Sequence, residues 1–265
     1  MEDIDPADAL DNSDRIARRI AHGVYRIVHN RKEVGEELWG IFGLRGGGYR
    51  LMTEIDLKWP VPNQQRAQLD LDTDWRERKL SVQLDSQGKR RNAYYQLVAG
   101  GAEVDVFEEP LRYAEAIKAN GSGEAPFQAI TPPKPKRMFG DTLPFDETTY
   151  FDFGSTLMNF VHLKRLPLRL GTKAQMRALV VTQPSLEPLT LSQVYAYVRN
   201  EVITTTVQPA LHACRYTIEE HSESGNTPTT TLWTDEHGVA IRLEAAVGRD
   251  THGCELVSYA WQGGN

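Results

Sequence analysis

The sequence has few of the features that mark disulfide-bonded, metal-binding or membrane-spanning proteins. Only two of its 265 residues are cysteines, Cys214 and Cys254, and their separation rules out a Cys-x-x-Cys motif. We therefore expect two reduced, packed thiols and no disulfide. No apolar run approaches the roughly 20 residues that a transmembrane helix needs, so the sequence predicts no membrane span.

A basic surface and a secretory signal are also missing from the sequence. Thirty-six acidic residues outnumber 30 lysines and arginines, giving a formal net charge of −6. Because nucleic-acid binding needs a basic surface, we expect no nucleic-acid partner. The N-terminus, Met1-Glu2-Asp3-Ile4-Asp5, is acidic and has no apolar core, unlike a signal peptide. The resulting expectation is a cytoplasmic location.

No convincing catalytic or metal-binding motif is present. The seven histidines show no i, i+4 spacing of the kind found in helical zinc sites. Asp70, Asp72 and Asp74 alternate as in the start of a calcium loop, but Trp75 and Ser81 stand where Gly and Glu are required. The sequence therefore predicts no metal and no cofactor.

The apolar residues follow the period of β-strands. Between positions 49 and 59, Leu51, Thr53 and Ile55 share one face of a predicted strand, and Glu54 and Asp56 lie on the other. Similar segments recur about every ten residues with turn residues between them, which is typical of antiparallel β structure. We predict a mostly β (α+β) protein with two similar, strongly curved antiparallel sheets and a few short helices.

Three short helices are predicted beside these strands. The first covers residues 12–21, where Ile16 and Ile20 stand at i, i+4. The second covers 111–120 and ends before Gly121. The third begins after Ser155, whose hydroxyl would cap a helix bearing Leu157, Phe160 and Val161.

Two copies of an Asp-x-x-Gly turn predict an internal duplication. Asp85 to Gly88 and Asp235 to Gly238 are each flanked by alternating residues, as in β-hairpins whose Gly takes a positive φ. Five of the 14 prolines fall between the two halves. The predicted division is 1–118, a curved-sheet unit with the N-terminal helix; 119–148, a Pro/Gly-rich linker or loop; and 149–265, a second curved-sheet unit.

Several phrases of the sequence resemble a known group of bacterial proteins. They are Tyr25-Arg26-Ile27-Val28, Val34-Gly35-Glu36-Glu37, Gly47-Gly48-Tyr49-Arg50-Leu51, and the segment from Trp233 to Glu244. Together they resemble uncharacterised families related to the putative glycolipid-binding proteins, which are similar to the periplasmic lipoprotein carriers of the LolA/LppX type. The resemblance implies curved sheets that wrap a hydrophobic cavity, with helices on the concave side and no catalytic residues.

We therefore predict non-enzymatic binding of a lipid-like or other hydrophobic small molecule in a cavity on the concave face of a sheet. Aromatic residues in or beside the strands would line such a cavity or would fill the core. The candidate lining residues are Trp39, Trp59, Tyr195, Tyr197, Trp233 and Arg242.

Two alternative functions stay open at this point. An enzyme acting on a small apolar substrate would need convergent titratable groups, for which Arg242 with Glu244 or His212 with Cys214 are the candidates. An interaction scaffold would bind a partner through its sheet edges or linker, and an exposed apolar patch would support it. The sequence does not indicate an oligomeric state.

Overall fold

The computed structural model describes residues 15–111, 134–206, 209–221 and 229–262. These residues contain 15 strands and one α-helix, which we call α1. In chain order the elements are β1 Ile16–His29, β2 Lys32–Leu44, β3 Tyr49–Leu57, β4 Asn63–Leu71, β5 Glu77–Ser86, β6 Lys89–Val98, β7 Gly101–Pro110, β8 Lys136–Leu143, β9 Thr149–Asp152, α1 Met158–Arg165, β10 Lys173–Val181, β11 Pro188–Ile203, β12 Leu211–His221, β13 Thr229–Thr234, β14 Ala240–Val247 and β15 Asp250–Trp261.

All 15 strands form one curled sheet that does not close, in the order β8-β7-β6-β5-β4-β3-β2-β1-β15-β14-β13-β12-β11-β10-β9. Neighbouring strands are antiparallel except β9 and β10, which are parallel. The predicted mostly β, antiparallel class is confirmed. The two predicted sheets are joined into one because β1 pairs with β15, from Ala21 opposite Trp261 to His29 opposite His252. We call this pairing the seam.

The two faces of the sheet differ as the alternation predicts. In β3, Leu51, Thr53 and Ile55 are buried, whereas Met52 is exposed and Glu54 is partly exposed. We call the face with the buried apolar side chains the inner face and the opposite one the outer face. Because every strand presents apolar residues on the inner face, the sheet curls around one core.

The inner side of the curled sheet is filled by the segment that contains β9 and α1. Phe160 of α1 is buried, and its ring contacts Trp75 and Trp261, with centroid distances of 5.1 Å and 6.3 Å. Phe151 of β9 is fully buried and packs against Tyr95 of β6 at 5.6 Å. The helix predicted after Ser155 is therefore confirmed, and it lies inside the curl. The predicted cap is wrong, because the helix begins at Met158 and its N-cap residue is Leu157, which makes no side-chain capping hydrogen bond.

The other two predicted helices fall on strand β1 and on residues that the structure mostly does not describe. Residues 16–21 belong to β1, so the predicted N-terminal helix is wrong over this part, and residues 12–14 lie outside the described residues. The reason is tertiary: Ala21 pairs with both Ile41 of β2 and Trp261 of β15, and short isolated helices are marginal in water. The helix predicted over 111–120 lies outside the described residues except for Leu111, which is in a turn.

The predicted linker contains regular structure. Strand β8 lies within residues 119–148 and pairs with β7, with Phe139 opposite Val106. The linker interpretation is wrong for this strand because its backbone hydrogen bonds extend the sheet. Residues 119–133 lie outside the described residues, and the division into two units stays a prediction.

Both Asp-x-x-Gly turns are β-hairpins, as predicted. Gly88 and Gly238 have φ values of +73° and +89°. The Asp235 carboxylate accepts hydrogen bonds from the backbone N–H groups of His237 and Val239, at 3.0 Å and 2.8 Å. Asp85 instead accepts two hydrogen bonds from the guanidinium of Arg90.

The predicted equivalence of the two turns is wrong. Three antiparallel steps separate β1 from β13, and four separate β1 from β5. Strands β5 and β13 therefore run in opposite directions, and the turns that follow them lie at opposite rims of the sheet. Since a duplicated unit would keep the strand direction, the shared phrase reflects a common turn chemistry rather than repeated architecture.

Candidate functional site

Two of the six predicted lining residues are core residues. Trp39 stacks on Tyr25 with ring centroids 5.6 Å apart, and both rings are buried. Tyr195 is also buried, and its hydroxyl lies 2.8 Å from Nδ1 of His162 in α1. The space beside these residues on the inner face is therefore occupied by side chains of this chain.

The other four predicted lining residues lie apart from this core. Trp59 is 47% exposed, and its ring contacts that of His29, near the end of β1, in a tilted arrangement with centroids 4.3 Å apart. Tyr197 is half-buried, stacks on Tyr216 at 4.7 Å and donates a hydrogen bond to Cys214 Sγ at 3.1 Å. Trp233 and Arg242 are opposite each other on β13 and β14. The structure thus brings only the last two together.

Buried polar groups hold the β9–α1 segment in place. Glu37 of β2 is 1% exposed and accepts hydrogen bonds from the Ser155 hydroxyl and from the Thr156 backbone N–H. Burial raises the pKa of Glu37, although these hydrogen bonds oppose the rise. His162 is also buried, and its Nε2–H donates to the Phe151 carbonyl at 3.1 Å. Burial lowers the pKa of His162, which favours a neutral imidazole.

On the outer face, a row of polar residues crosses six strands at one register. Its members, each opposite the next in the sheet, are Arg26, Glu255, Arg242, Trp233, Arg215 and Arg199. The row alternates with the inner-face residues, since Tyr25 and Leu256 beside it are buried. We call this row the arginine ladder.

Ion pairs and ring contacts connect the arginine ladder. Arg26 donates to Glu255 at 2.8 Å, and a nitrogen of Arg242 lies 3.6 Å from the other oxygen of the same carboxylate. The Trp233 ring lies between two guanidinium groups, Arg215 at 5.6 Å and Arg242 at 5.9 Å, in the range of cation–π contacts. The ladder is therefore a connected network rather than a set of separate surface charges.

A groove of about 830 Å³ lies beside one end of the arginine ladder. Its walls come from β13, β14, β15 and β1, with Arg31 and Glu33 from the turn between β1 and β2 and the start of β2. The apolar and small lining residues are Val28, Leu243, Ala245, Ala246, Gly253 and Cys254. The charged lining residues are Arg26, Arg31, Arg242, Glu33, Glu244 and Glu255.

The groove offers hydrogen-bonding groups as well as apolar area. Three threonines line it, Thr229, Thr231 and Thr251. The Nε atom of Arg26 is buried and has no hydrogen-bond partner among the described residues. A buried donor without a partner is costly, and because this atom has almost no accessible surface, a group bound in the groove would reach it only if the Arg26 side chain moved. With three arginines and three glutamates, the charged side chains of the lining cancel.

The side chains proposed for catalysis do not converge in a buried site. Arg242 Nε lies 4.0 Å from Glu244 Oε1, and the Glu244 side chain is 60% exposed, so the pair faces solvent on the outer face. His212 is exposed near the start of β12, whereas Cys214 accepts the hydrogen bond of Tyr197. The enzyme alternative loses both of its candidate pairs because neither forms a desolvated, convergent constellation.

The two cysteines are free thiols on different strands. Burial raises the pKa of Cys254 to about 12, which makes its thiol a poor nucleophile at neutral pH. In the part of the chain that the structure describes, no three His, Cys, Asp or Glu side chains gather as a metal site. No helix among the described residues is long and apolar enough to cross a membrane.

Sequence reasoning found Trp233 and Arg242 but missed the groove that adjoins them. The groove depends on the seam, where Arg26 and Glu255 meet although they are 229 positions apart. Alternation along each strand predicts which face a residue occupies, and no local pattern predicts which distant strand becomes its neighbour.

Comparison with known proteins indicates the fold only. No protein-family model matches this chain, and no curated protein matches its sequence. The structure is similar to the β-barrel-like protein of the domain of unknown function DUF1849 from Brucella abortus, with a TM-score of 0.57, 11% identity, and coverage of 94% of this chain and 100% of that one.

Two further solved structures are more distant in shape. A DUF1089 family protein from Pseudomonas aeruginosa has a TM-score of 0.46 and 18% identity, over 77% of this chain and 87% of that one. The hypothetical lipoprotein YmcC from Escherichia coli has a TM-score of 0.34 and 9% identity, over 97% and 94%. The chain therefore has a β-barrel-like fold similar to that of a protein of unknown function, and its relation to glycolipid-binding proteins stays a prediction.

Proposed function

We propose that this protein binds an amphipathic, lipid-like small molecule without transforming it, and that the outer-face groove is the binding site. The observation that carries the proposal is the groove itself, whose volume of about 830 Å³ falls within the 300–1,000 Å³ typical of small-molecule sites. The predicted ligand class is kept, and its place moves from the inner to the outer face.

The inner face is a poor site for such a ligand. Phe151, Phe153 and Phe160 fill it and are each no more than 2% exposed. A ligand there would have to displace the β9–α1 segment and break the contacts of Glu37 with Ser155 and Thr156. The outer groove needs no such rearrangement, since it is already open.

The lining of the groove suits a molecule with one apolar and one polar end. Val28, Ala245 and Ala246 provide apolar contact, worth about 25 cal/mol for each Å² removed from water. Arg26 and Arg242 provide hydrogen-bond donors near the acceptor Glu255. A polar head group with both donors and acceptors, such as a sugar, matches this balanced set better than a bare charge does.

Isothermal titration calorimetry tests the proposal with three dodecyl amphiphiles below their micelle concentrations: dodecyl maltoside, dodecyl phosphate and dodecyltrimethylammonium. We expect saturable binding of one molecule per chain, with dodecyl maltoside the tightest. The Ala246→Trp variant, which fills the groove at an exposed position, should weaken binding at least about tenfold.

The matched control is Leu38→Trp, which adds the same ring at a 46% exposed residue of β2 outside the groove. We expect this variant to bind as the native chain does. Equal weakening by both tryptophans, or no saturable binding of any of the three amphiphiles, would contradict the proposal.

A further inference from the structure

Two histidine side chains face each other across the seam, at the rim of the curled sheet. His29 of β1 and His252 of β15 are direct register partners, although 223 positions separate them. Their Nδ1 atoms are 3.3 Å apart, and their ring centroids are 4.5 Å apart.

The separation of the two Nδ1 atoms has a direct chemical meaning. Metal–imidazole bonds are about 2.0–2.1 Å long, so two nitrogens on one tetrahedral ion are roughly 3.3–3.4 Å apart. The Nδ1 atoms of His29 and His252 are 3.3 Å apart, which matches the distance between two nitrogens bound to one ion. We propose that His29 and His252 form a binding site for one late divalent transition-metal ion, Cu²⁺ or Zn²⁺, with water completing the coordination. Imidazole is a preferred ligand of both ions.

The surroundings of the pair hold the rings in place and leave access for an ion. The Trp59 ring contacts the His29 ring in a tilted arrangement, with centroids 4.3 Å apart, and the His29 side chain is only 14% exposed. His252 is exposed, so an ion can reach the Nδ1 atoms from solvent. Asp250, 56% exposed, has a carboxylate oxygen 4.0 Å from His29 Nε2 and adds negative charge beside the site.

Asn30 selects the tautomer of a neutral His29 ring when no ion is bound. Its Oδ1 accepts a hydrogen bond from the Thr251 backbone N–H at 2.8 Å, so its amide nitrogen is the atom that faces His29 Nε2 at 3.1 Å. His29 therefore carries its proton on Nδ1 and donates it to Nδ1 of His252. An ion between the two Nδ1 atoms would replace this proton, which moves to Nε2 of His29.

This shift of the His29 proton from Nδ1 to Nε2 predicts how the residue at position 30 affects the affinity for the metal ion. The Asn30 amide donates toward Nε2 and opposes the metal-binding tautomer, whereas a carboxylate would accept the Nε2–H and support it. Carboxylate partners of ligating histidines typically change affinity by about 10–100-fold. Asn30 has a φ of +49°, a conformation that Asp also tolerates, so Asn30→Asp keeps the backbone. The variant loses the hydrogen bond that the Asn30 amide donates to Asp250 at 2.8 Å and places two carboxylates side by side. Because a bound cation offsets this added negative charge, Asn30→Asp should tighten metal binding by about tenfold.

Titration of Cu²⁺ and Zn²⁺ into protein without a polyhistidine tag tests the site. Calorimetry should show one ion per chain, and Cu²⁺ should quench the fluorescence of Trp59, whose ring contacts one ligand. His252→Asn, at an exposed position where folding is tolerant, should weaken binding by at least about tenfold, and His29→Gln should do the same. Trp59→Phe should remove the quenching of Trp59, and calorimetry should still show one ion per chain.

The double variant Asn30→Asp/His252→Asn separates coordination from added charge, because it has the new carboxylate and only one imidazole. We expect it to bind as weakly as His252→Asn alone. Retention of native affinity in His252→Asn, or tight binding by the double variant, would overturn the proposal. His252 also lines the groove, so the amphiphile titrations are made without metal on the native chain and on the two tryptophan variants, all of which keep both histidines. The two proposals therefore fail separately.

Discussion

The burial of Glu77 makes the stability of this protein depend on pH in an unusual direction. Glu77 of β5 is 1% exposed and contacts Arg165 in the last turn of α1. Arg165 in turn lies over the Tyr150 ring at 4.0 Å. Burial raises the pKa of Glu77 from 4.5 to about 7, although the Arg165 guanidinium opposes the rise.

Proton linkage gives the direction in which the free energy of unfolding changes with pH. Because the folded protein binds the Glu77 proton more tightly than the unfolded chain, the stabilisation is fully present below pH 4.5 and is lost as pH rises through 7. Each pKa unit corresponds to 1.36 kcal/mol, so Glu77 accounts for a change of about 3 kcal/mol in the free energy of unfolding. Most acidic groups in proteins act in the opposite direction.

The test compares the native chain with Glu77→Gln, a neutral residue of the same shape, by urea unfolding between pH 4.5 and 8. Other buried titratable groups, such as Glu37, are present in both proteins and cancel in the comparison. Over this range the native chain should lose about 3 kcal/mol more stability than the variant. Identical pH profiles, or a native chain that gains stability relative to Glu77→Gln as pH rises, would refute the reasoning.

Three other predictions concern the core, a turn and a thiol. Phe160→Ala removes the ring that contacts Trp75 and Trp261 on the inner side. It should lower the free energy of unfolding in urea by about 3–5 kcal/mol. A decrease below about 1 kcal/mol would mean that α1 does not support the core. Gly238→Val, at φ +89°, should cost about 1–2 kcal/mol. Gly46→Val, where an added Cβ meets open space, should cost less, and the reverse order would contradict the turn assignment. In a Cys214→Ser variant, the remaining thiol, Cys254, should react with iodoacetamide at pH 8 much more slowly in the folded chain than in urea, because its raised pKa leaves little thiolate; equal rates with and without urea would contradict this.

Local features of this fold could be predicted from the sequence because they depend on neighbouring residues. The alternation in β3 determined which residues are buried, since successive side chains of a strand point to opposite faces. Gly88 and Gly238 marked hairpin turns because glycine enters positive φ without steric cost. Ser155 indicated a helix that begins three residues later, at Met158, and its hydroxyl accepts a hydrogen bond from the Leu157 backbone N–H at 3.1 Å in the preceding turn.

Pairing between strands that are distant in sequence decided the features that local patterns did not predict. Residues 16–21 satisfy a local helical spacing, yet β1 forms there because it hydrogen-bonds to strands on both sides at once. The same pairing creates the outer groove and brings His29 beside His252. The sequence by itself determined the strands, their turns and their buried faces. Only the tertiary structure decided that the inner face is filled and the outer face is open, because strand register depends on contacts between residues more than 200 positions apart.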